Sequence, residues 1–493
     1  MMFNSFIFFI FLLAILPVFY FLPNKNSKNI FLLFSSYFFY GYLDWRFCGL
    51  LALLTLINYY IGKQLDLVTE KHRTIYFFAG LISNLGILVF FKYVNFFIDS
   101  FQVIVHHFGA EIDLLHLNLI IPLGISFYIF QSLAYIIDVY KKRISHTNNL
   151  IDFSLFIAFF PKLIAGPIER PGNFLPQISK ELKPTGTQIK EGITLIIVGL
   201  FRKVMIGDTA GRFADHIFGN LENYKSIEII CALFLFSIQI YADFSGYSHI
   251  ARGSGKLFGI ELMKNFEQPY FSKNITEFWR KWHISLSSWL RDYLFLPLSY
   301  SISRKLPQEK YFFIKTEYII YIYSTMITFT LCGLWHGASW NYVIWGVLHG
   351  VFLSFHRAFF VNKKSLIHKS IIFSFKPFKP VVKIISSILF TYMIVLSAWL
   401  FFALDSWEET KLFLKKILYW ETSEFTLLFI TIVISYLFVM ILLDLFEYVF
   451  SSHTYILKLK SKGAIIGILS GLLVVTFIYM FQAEPSPFIY FQF

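Results

Sequence analysis

Residues 318–356 read YIIYIYSTMITFTLCGLWHGASWNYVIWGVLHGVFLSFH and contain no Asp, Glu, Lys or Arg. As helix this stretch would measure about 58 Å, roughly two crossings of a hydrocarbon core about 30 Å thick. Backbone polar groups cannot go unpaired in lipid, so helices are the expected spanning element. Near the middle sits Leu334-Trp335-His336-Gly337-Ala338-Ser339-Trp340-Asn341. A histidine in an uncharged membrane segment is costly and by default marks a functional site. The bland alternative is a buried histidine that only hydrogen-bonds a neighbouring helix. His349 follows 13 residues later, about 220° round a straight helix. The two rings therefore do not share one face, and no metal site is expected.

The rest of the chain has the same character. It has 493 residues, 57% hydrophobic and 15% charged, against about 25% charged in soluble domains. Candidate spans are 3–22, 30–43, 46–61, 75–91, 117–137, 151–165, 192–209, 228–250, 318–335, 338–356, 381–403, 424–443 and 464–482. Some are short, so about 11 full crossings are expected. Alternating segments of a transmembrane barrel are absent. The expectation is an all-α, polytopic membrane protein forming one domain over 1–493, with re-entrant and interfacial helices. The net charge of +13 fits cations gathered in cytoplasmic loops, so no nucleic-acid partner is expected. Cys48, Cys231 and Cys332 lie in apolar segments and make neither a disulfide framework nor a metal spacing. Residues 1–22 lack a basic n-region and read as a retained first helix.

Loop charge gives the orientation. Residues 92–116 carry Lys92 against Asp99, Glu111 and Asp113 and should face outward. Residues 251–315, with eleven Lys/Arg against five Asp/Glu, should be cytoplasmic. Lys141, Lys142 and Arg143 mark a second cytoplasmic loop, and Lys363, Lys364 and Lys369 a third. The C-terminus then lies outside, provided 151–165 dips in without crossing. The Phe160-Pro161 break and the Ala165-Gly166-Pro167 turn allow such a dip.

Residues 276–296 read as one amphipathic helix. Phe278, Trp279, Trp282, Leu286, Trp289, Leu290 and Tyr293 fall in one arc, with Arg280, Lys281, Ser287, Ser288, Arg291 and Asp292 opposite. His283 sits at the edge of the apolar arc, where it could line a channel. The cations could attract an anionic donor; an interfacial helix without a catalytic role is the competing reading. The chain ends Pro485-Ser486-Pro487-Phe488-Ile489-Tyr490-Phe491-Gln492-Phe493. This tail reads either as an aromatic-belt anchor or as an acyl acceptor through Tyr490. A phenol of pKa near 10 lies between a thiol and an aliphatic alcohol, so its ester remains activated toward a sugar hydroxyl.

These segments resemble the bacterial membrane-bound O-acyltransferase family, in its polysaccharide-acetylating branch. The likeness runs nearly end to end. It rests on Pro122–Phe127, Phe160–Arg170, Tyr241–Ser248, Phe278–His283, Trp335-His336-Gly337 and the tail Phe488–Phe493. Phe401-Phe402-Ala403 departs from it, where an Arg is expected after the aromatic pair. The resemblance implies core motifs over 120–360 around a central tunnel, and an acceptor-like tail over 485–493. It implies His336 as catalytic base or acid, His283 as a second histidine on the cytoplasmic side, and Tyr490 as acyl acceptor. Trp279, Arg280, Lys281, Trp282, Trp335, Asn341, Asp243 and Ser245 are the expected donor-binding and tunnel residues. The implied donor is acetyl-CoA, with no tightly bound cofactor. The implied partners are membrane lipid, an extracytoplasmic SGNH-type protein and a polysaccharide acceptor, at the bacterial cytoplasmic membrane. An AT-rich composition places peptidoglycan ahead of alginate. The rival readings are D-alanyl transfer to teichoic acid by the same fold, a scaffold for the partner, and a secondary transporter. The last should show paired halves with intramembrane acids, and no such repeat is visible.

Overall fold

Helix Lys462–Gln482 has only Thr476 buried, while Ile466, Val474, Ile478 and Phe481 are exposed. A helix apolar on every side and open all round is stable only against lipid or another apolar surface. Thr426–Phe450 is also mostly open, with Val433, Met440, Asp444 and Glu447 buried on one face. The computed structural model describes residues 1–109, 116–117, 119–361 and 379–491. Glu111, Asp113, Lys363, Lys364, Lys369, Gln492 and Phe493 lie outside the described residues. Among those described, seven helices are long and apolar enough to cross a bilayer, and Phe6–Phe21 and Ile125–Tyr140 are shorter apolar helices. The only strands among the described residues are Lys310–Tyr311 and Ile314–Lys315, a small antiparallel pair. Lys25–Asp44 and Arg46–Leu67 reach crossing length but are less apolar than the seven.

The chain divides into two compact units. The first comprises Met1–Met205, Asp243–Lys264 and His453–Phe493; the second comprises Ile206–Ala242 and Asn265–Ser452. The boundary falls inside the helix Ser226–Leu257.

In the first unit Ile125–Tyr140 is buried along nearly its whole length. Its neighbours are joined by amide side chains. Asn58 Nδ2 donates to Asn84 Oδ1 at 3.1 Å, and Asn84 Nδ2 donates back at 2.7 Å. Each amide thereby satisfies the other where water is absent. The expected dip over 151–165 is the nine-residue helix Leu150–Ala158, followed by a break at Phe159 and a turn led by Pro161. Such a helix spans about 14 Å, less than half the hydrocarbon core.

In the second unit, Thr316–His336 and Trp340–His356 form an antiparallel helical hairpin. Glycine sets its spacing. A Cβ at Gly333 would lie 2.1 Å from the carbonyl oxygen of Tyr342, and one at Gly346 would lie 2.1 Å from that of Phe329. Backbone on the facing helix cannot rotate aside as a side chain can. Gly333→Ala should therefore push the helices apart and destabilise the protein by roughly 1–3 kcal/mol, read as a lower thermal midpoint in detergent. Gly467→Ala, where nothing lies within 4 Å, should not lower the midpoint, since alanine is the better helix former.

Candidate active site

The Asn274 side chain accepts from Glu277 N at 2.9 Å and caps the helix Ile275–Lys281. That helix ends where Trp282 N donates to Phe278 O. At His283 the backbone turns left-handed, with φ 42° and ψ 55°. A second helix, Ile284–Leu290, then begins. Ile284 N donates to Asn265 O at 2.9 Å, and Ser287 N donates to His283 O at 2.9 Å. The expected single helix over 276–296 is thus corrected to two helices with His283 at the joint. The arc of apolar residues requires an unbroken helix, but the Asn265 carbonyl accepts the N–H that a continuous helix would have bonded internally. A left-handed non-glycine residue costs roughly 1–2 kcal/mol, and such outliers cluster at functional sites. His283 is 1% exposed, and burial holds its pKa down to about 3, so the ring is neutral at physiological pH.

His336 is the last residue of its helix. Gly337 is extended, and the Ser339 side chain accepts from Asn341 N to start the returning helix. Aromatic rings surround the imidazole, with centroids at 4.8 Å for Trp335, 4.9 Å for Trp345 and 5.0 Å for Phe402. Cys332 Sγ lies 3.9 Å from His336 Nε2. Trp335 stands between the two candidate histidines, 6.3 Å from His283. Trp345 likewise stands between His336 and His349, 4.7 Å from the latter. The 220° separation of His336 and His349 does not apply, because the chain reverses at 337–339. Trp279 Nε1 donates to His349 Nδ1 at 3.2 Å, which fixes Nδ1 as the unprotonated nitrogen.

Trp345 and Trp399 are site residues that the sequence reading missed, and His349, which it named, it had set apart from His336. The i, i+4 spacing of Trp345 and His349 on an uncharged helix was an available signal. Trp399 gave none; it arrives from the helix Lys379–Ala403 and packs 5.8 Å from Trp345 and 5.1 Å from Trp282.

A cavity of about 360 Å³ opens beside this cluster, lined by residues including Trp279, Arg280, Ser287, Arg291, Tyr321 and Phe329. Arg280 and Arg291 are exposed at it. His336 and His283 do not line it. The Trp279 indole forms part of its wall and touches both Trp345 and His349. Within this unit, Trp279 stands between the cavity and the His336 cluster. Among the other expected residues, Trp282 is buried in aromatic rings, and Lys281 pairs with Glu277 at 2.7 Å. Asn341 donates to Leu404 O at 2.8 Å and to Thr410 Oγ1 at 3.2 Å, tying down the hairpin tip.

Asp243, Ser245 and Tyr490 belong to the first unit. Asp243 pairs with Lys203 at 2.9 Å and accepts from Ile489 N at 2.8 Å. Ser245 is buried. Tyr490 packs against Phe244 at 4.7 Å and Phe488 at 5.4 Å. It also lines a cavity of about 70 Å³ with Lys92, Gly124, Phe127 and Ile164.

Residues 126–399 match the family described as MBOAT, the membrane-bound O-acyltransferase family. The chain belongs to that family. A probable alginate O-acetylase of Pseudomonas putida is 39% identical over 402 residues, covering 80% of this chain and 76% of that protein. A peptidoglycan O-acetyltransferase of Helicobacter pylori is 30% identical across 98% of this chain and 96% of that protein. A teichoic acid D-alanyltransferase of Bacillus subtilis is 30% identical over 49% of this chain and 60% of that protein. This membrane-bound O-acyltransferase is accordingly a multi-pass membrane enzyme that transfers acyl groups to oxygen.

The joint at His283 yields a test that separates backbone from imidazole. Asparagine tolerates the left-handed region better than alanine. His283→Asn should melt above His283→Ala, while both variants lose acyl transfer if the imidazole is needed. Differential scanning fluorimetry and a transfer assay read the two effects separately.

Proposed function

We propose that this membrane-bound O-acyltransferase moves an acetyl group from acetyl-CoA to an extracytoplasmic polysaccharide, with peptidoglycan favoured over an alginate-like polymer. The observation that carries the reading is the cluster of His283, Trp335 and His336 set behind a cavity with two exposed guanidinium groups. Arg280 and Arg291 suit the phosphates of coenzyme A, and the adjoining aromatic wall suits an acyl thioester. The peptidoglycan O-acetyltransferase matched over 98% of this chain supports the polymer. Half-length similarity to the D-alanyltransferase makes D-alanyl transfer the second reading. The site lies in the bacterial cytoplasmic membrane with the C-terminus outside. An SGNH-type protein there receives the acetyl group and completes transfer to the polymer.

In this mechanism His336 is a neutral general base. It takes the proton of the acceptor hydroxyl as that oxygen attacks the thioester carbonyl. The carbon–sulfur bond breaks, the carbon–oxygen ester bond forms, and the proton passes to the leaving thiolate. The aromatic box keeps water away from the reacting atoms. Trp279 must shift for a donor in the cavity to reach the ring. The acetyl group leaves on the outer side by way of Tyr490, whose phenol ester hands it onward.

His336→Ala should lower transfer by about 10²–10⁴-fold with protein level unchanged, measured with radiolabelled acetyl-CoA on membranes. Full activity in that variant removes His336 from the mechanism. Labelling from a D-alanyl carrier thioester, with none from acetyl-CoA, would replace the donor assignment. Arg280→Ala combined with Arg291→Ala should raise KM for acetyl-CoA and leave kcat near wild type, because exposed cations act on donor capture. An unchanged KM separates the cavity from donor binding. Cell-wall acetate in a deletion strain identifies the polymer.

A further inference from the structure

Phe488 and Ile489 are fully buried, although they lie almost at the end of the chain. Their burial is organised by a charged pair. Lys203 is 0% exposed and Asp243 3%, and their side chains meet at 2.9 Å. Each also reaches the main chain of the tail: Asp243 Oδ2 accepts from Ile489 N at 2.8 Å, and Lys203 Nζ donates to Pro487 O at 3.2 Å. Asn4 Nδ2 donates to Ser486 O at 2.9 Å, and Tyr247 OH donates to Asn4 Oδ1 at 3.2 Å. The Phe488 ring lies 4.6 Å from Tyr247 and 5.2 Å from Phe244. One residue beyond this grip, Tyr490 enters the small cavity beside Lys92.

We propose that Lys203 and Asp243 are positioning residues that dock the C-terminal tail and set Tyr490 for acyl transfer. The inference rests on the proposed role of Tyr490 as acceptor. The physical argument is economy of contact. A buried ion pair is seldom the most stable filling for apolar space, and well-packed apolar residues often do as well or better. Here the two charges also satisfy the N–H of Ile489, which opens the short 3-10 turn Ile489–Phe491, and the carbonyl of Pro487 just before it, groups that so short a turn leaves without an internal partner. Recognition through main-chain atoms fixes where the segment lies, and the Phe488 ring fixes its register. The phenol is then delivered to one place by contacts made to the residues just before it. The cavity it enters, about 70 Å³, accommodates a short acyl group.

The test uses the full chain with Ile489→Cys as a reporter, its maleimide labelling followed on the C-terminal peptide by mass spectrometry. The double variant Lys203→Met/Asp243→Leu leaves no lone buried charge. It should label about tenfold faster, as expected of a segment released to local opening. Without the reporter, the same double variant should lower kcat by about tenfold with KM for the thioester donor unchanged, the pattern of lost positioning. Asn4→Ala, which removes a neutral contact to Ser486, should move both readouts in the same direction and carries the test if the double variant fails to fold. Wild-type labelling in the folded variants overturns the dock. Tyr490→Phe should keep wild-type protection of the reporter thiol while losing transfer. Retained transfer in Tyr490→Phe overturns the acceptor reading, and protection of the reporter thiol then judges the dock by itself.

Discussion

Glycine at 333 and 346 allows two apolar helices to approach until the backbone of one lies against the other. In lipid there is little hydrophobic gain from bringing helices together, so close packing must supply the attraction. The hairpin of Thr316–His336 and Trp340–His356 satisfies that constraint, and the second unit's site depends on it. Because the chain reverses at 337–339, His336 at the end of one helix faces Trp345 on the next, and His349 packs on that same indole. A wider hairpin would open the aromatic box and admit water to the imidazole it encloses.

A second constraint acts on the short helices before the hairpin. The chain could have run through residues 276–296 as one interfacial helix. Instead Asn265 takes the N–H of Ile284, and His283 occupies a left-handed joint. The strain is local and the surrounding rings hold it. One consequence is that Trp279 and Trp282, on either side of a helix end, face different neighbours. Trp279 meets the cavity and His349, whereas Trp282 meets Tyr241, Phe266 and Trp399. The break therefore does two jobs: it buries His283 and it sets Trp279 as a wall between the cavity and the histidine cluster.

The first unit solves a different problem, that of holding polar groups where water is scarce. Asn58 pairs with Asn84, and Lys203 pairs with Asp243, each completing the other's bonding. Asp243, expected among donor-binding residues, is occupied by Lys203 and by the main chain of the tail. Its place in a charge-poor helix was legible, but its partners were not. One of them, the N–H of Ile489, lies 246 positions away in the chain.

Local patterns along the chain were enough to establish the membrane setting, the all-helical fold and the family. These follow from long uncharged apolar runs and ordered motifs, which are properties of neighbouring residues. The same patterns singled out His336, because an ionisable ring in an uncharged stretch is visible without a fold. Packing in three dimensions was needed to learn that His283 ends a helix, that Trp345 and His349 share a cluster with His336, and that Phe402 and Trp399 enclose it. Helical periodicity extrapolates along an axis only while the axis continues. A reversal at 337–339 ends the axis, as the split between spans 318–335 and 338–356 already implied; a carbonyl borrowed from a distant segment ends it too, and leaves no mark on the local pattern.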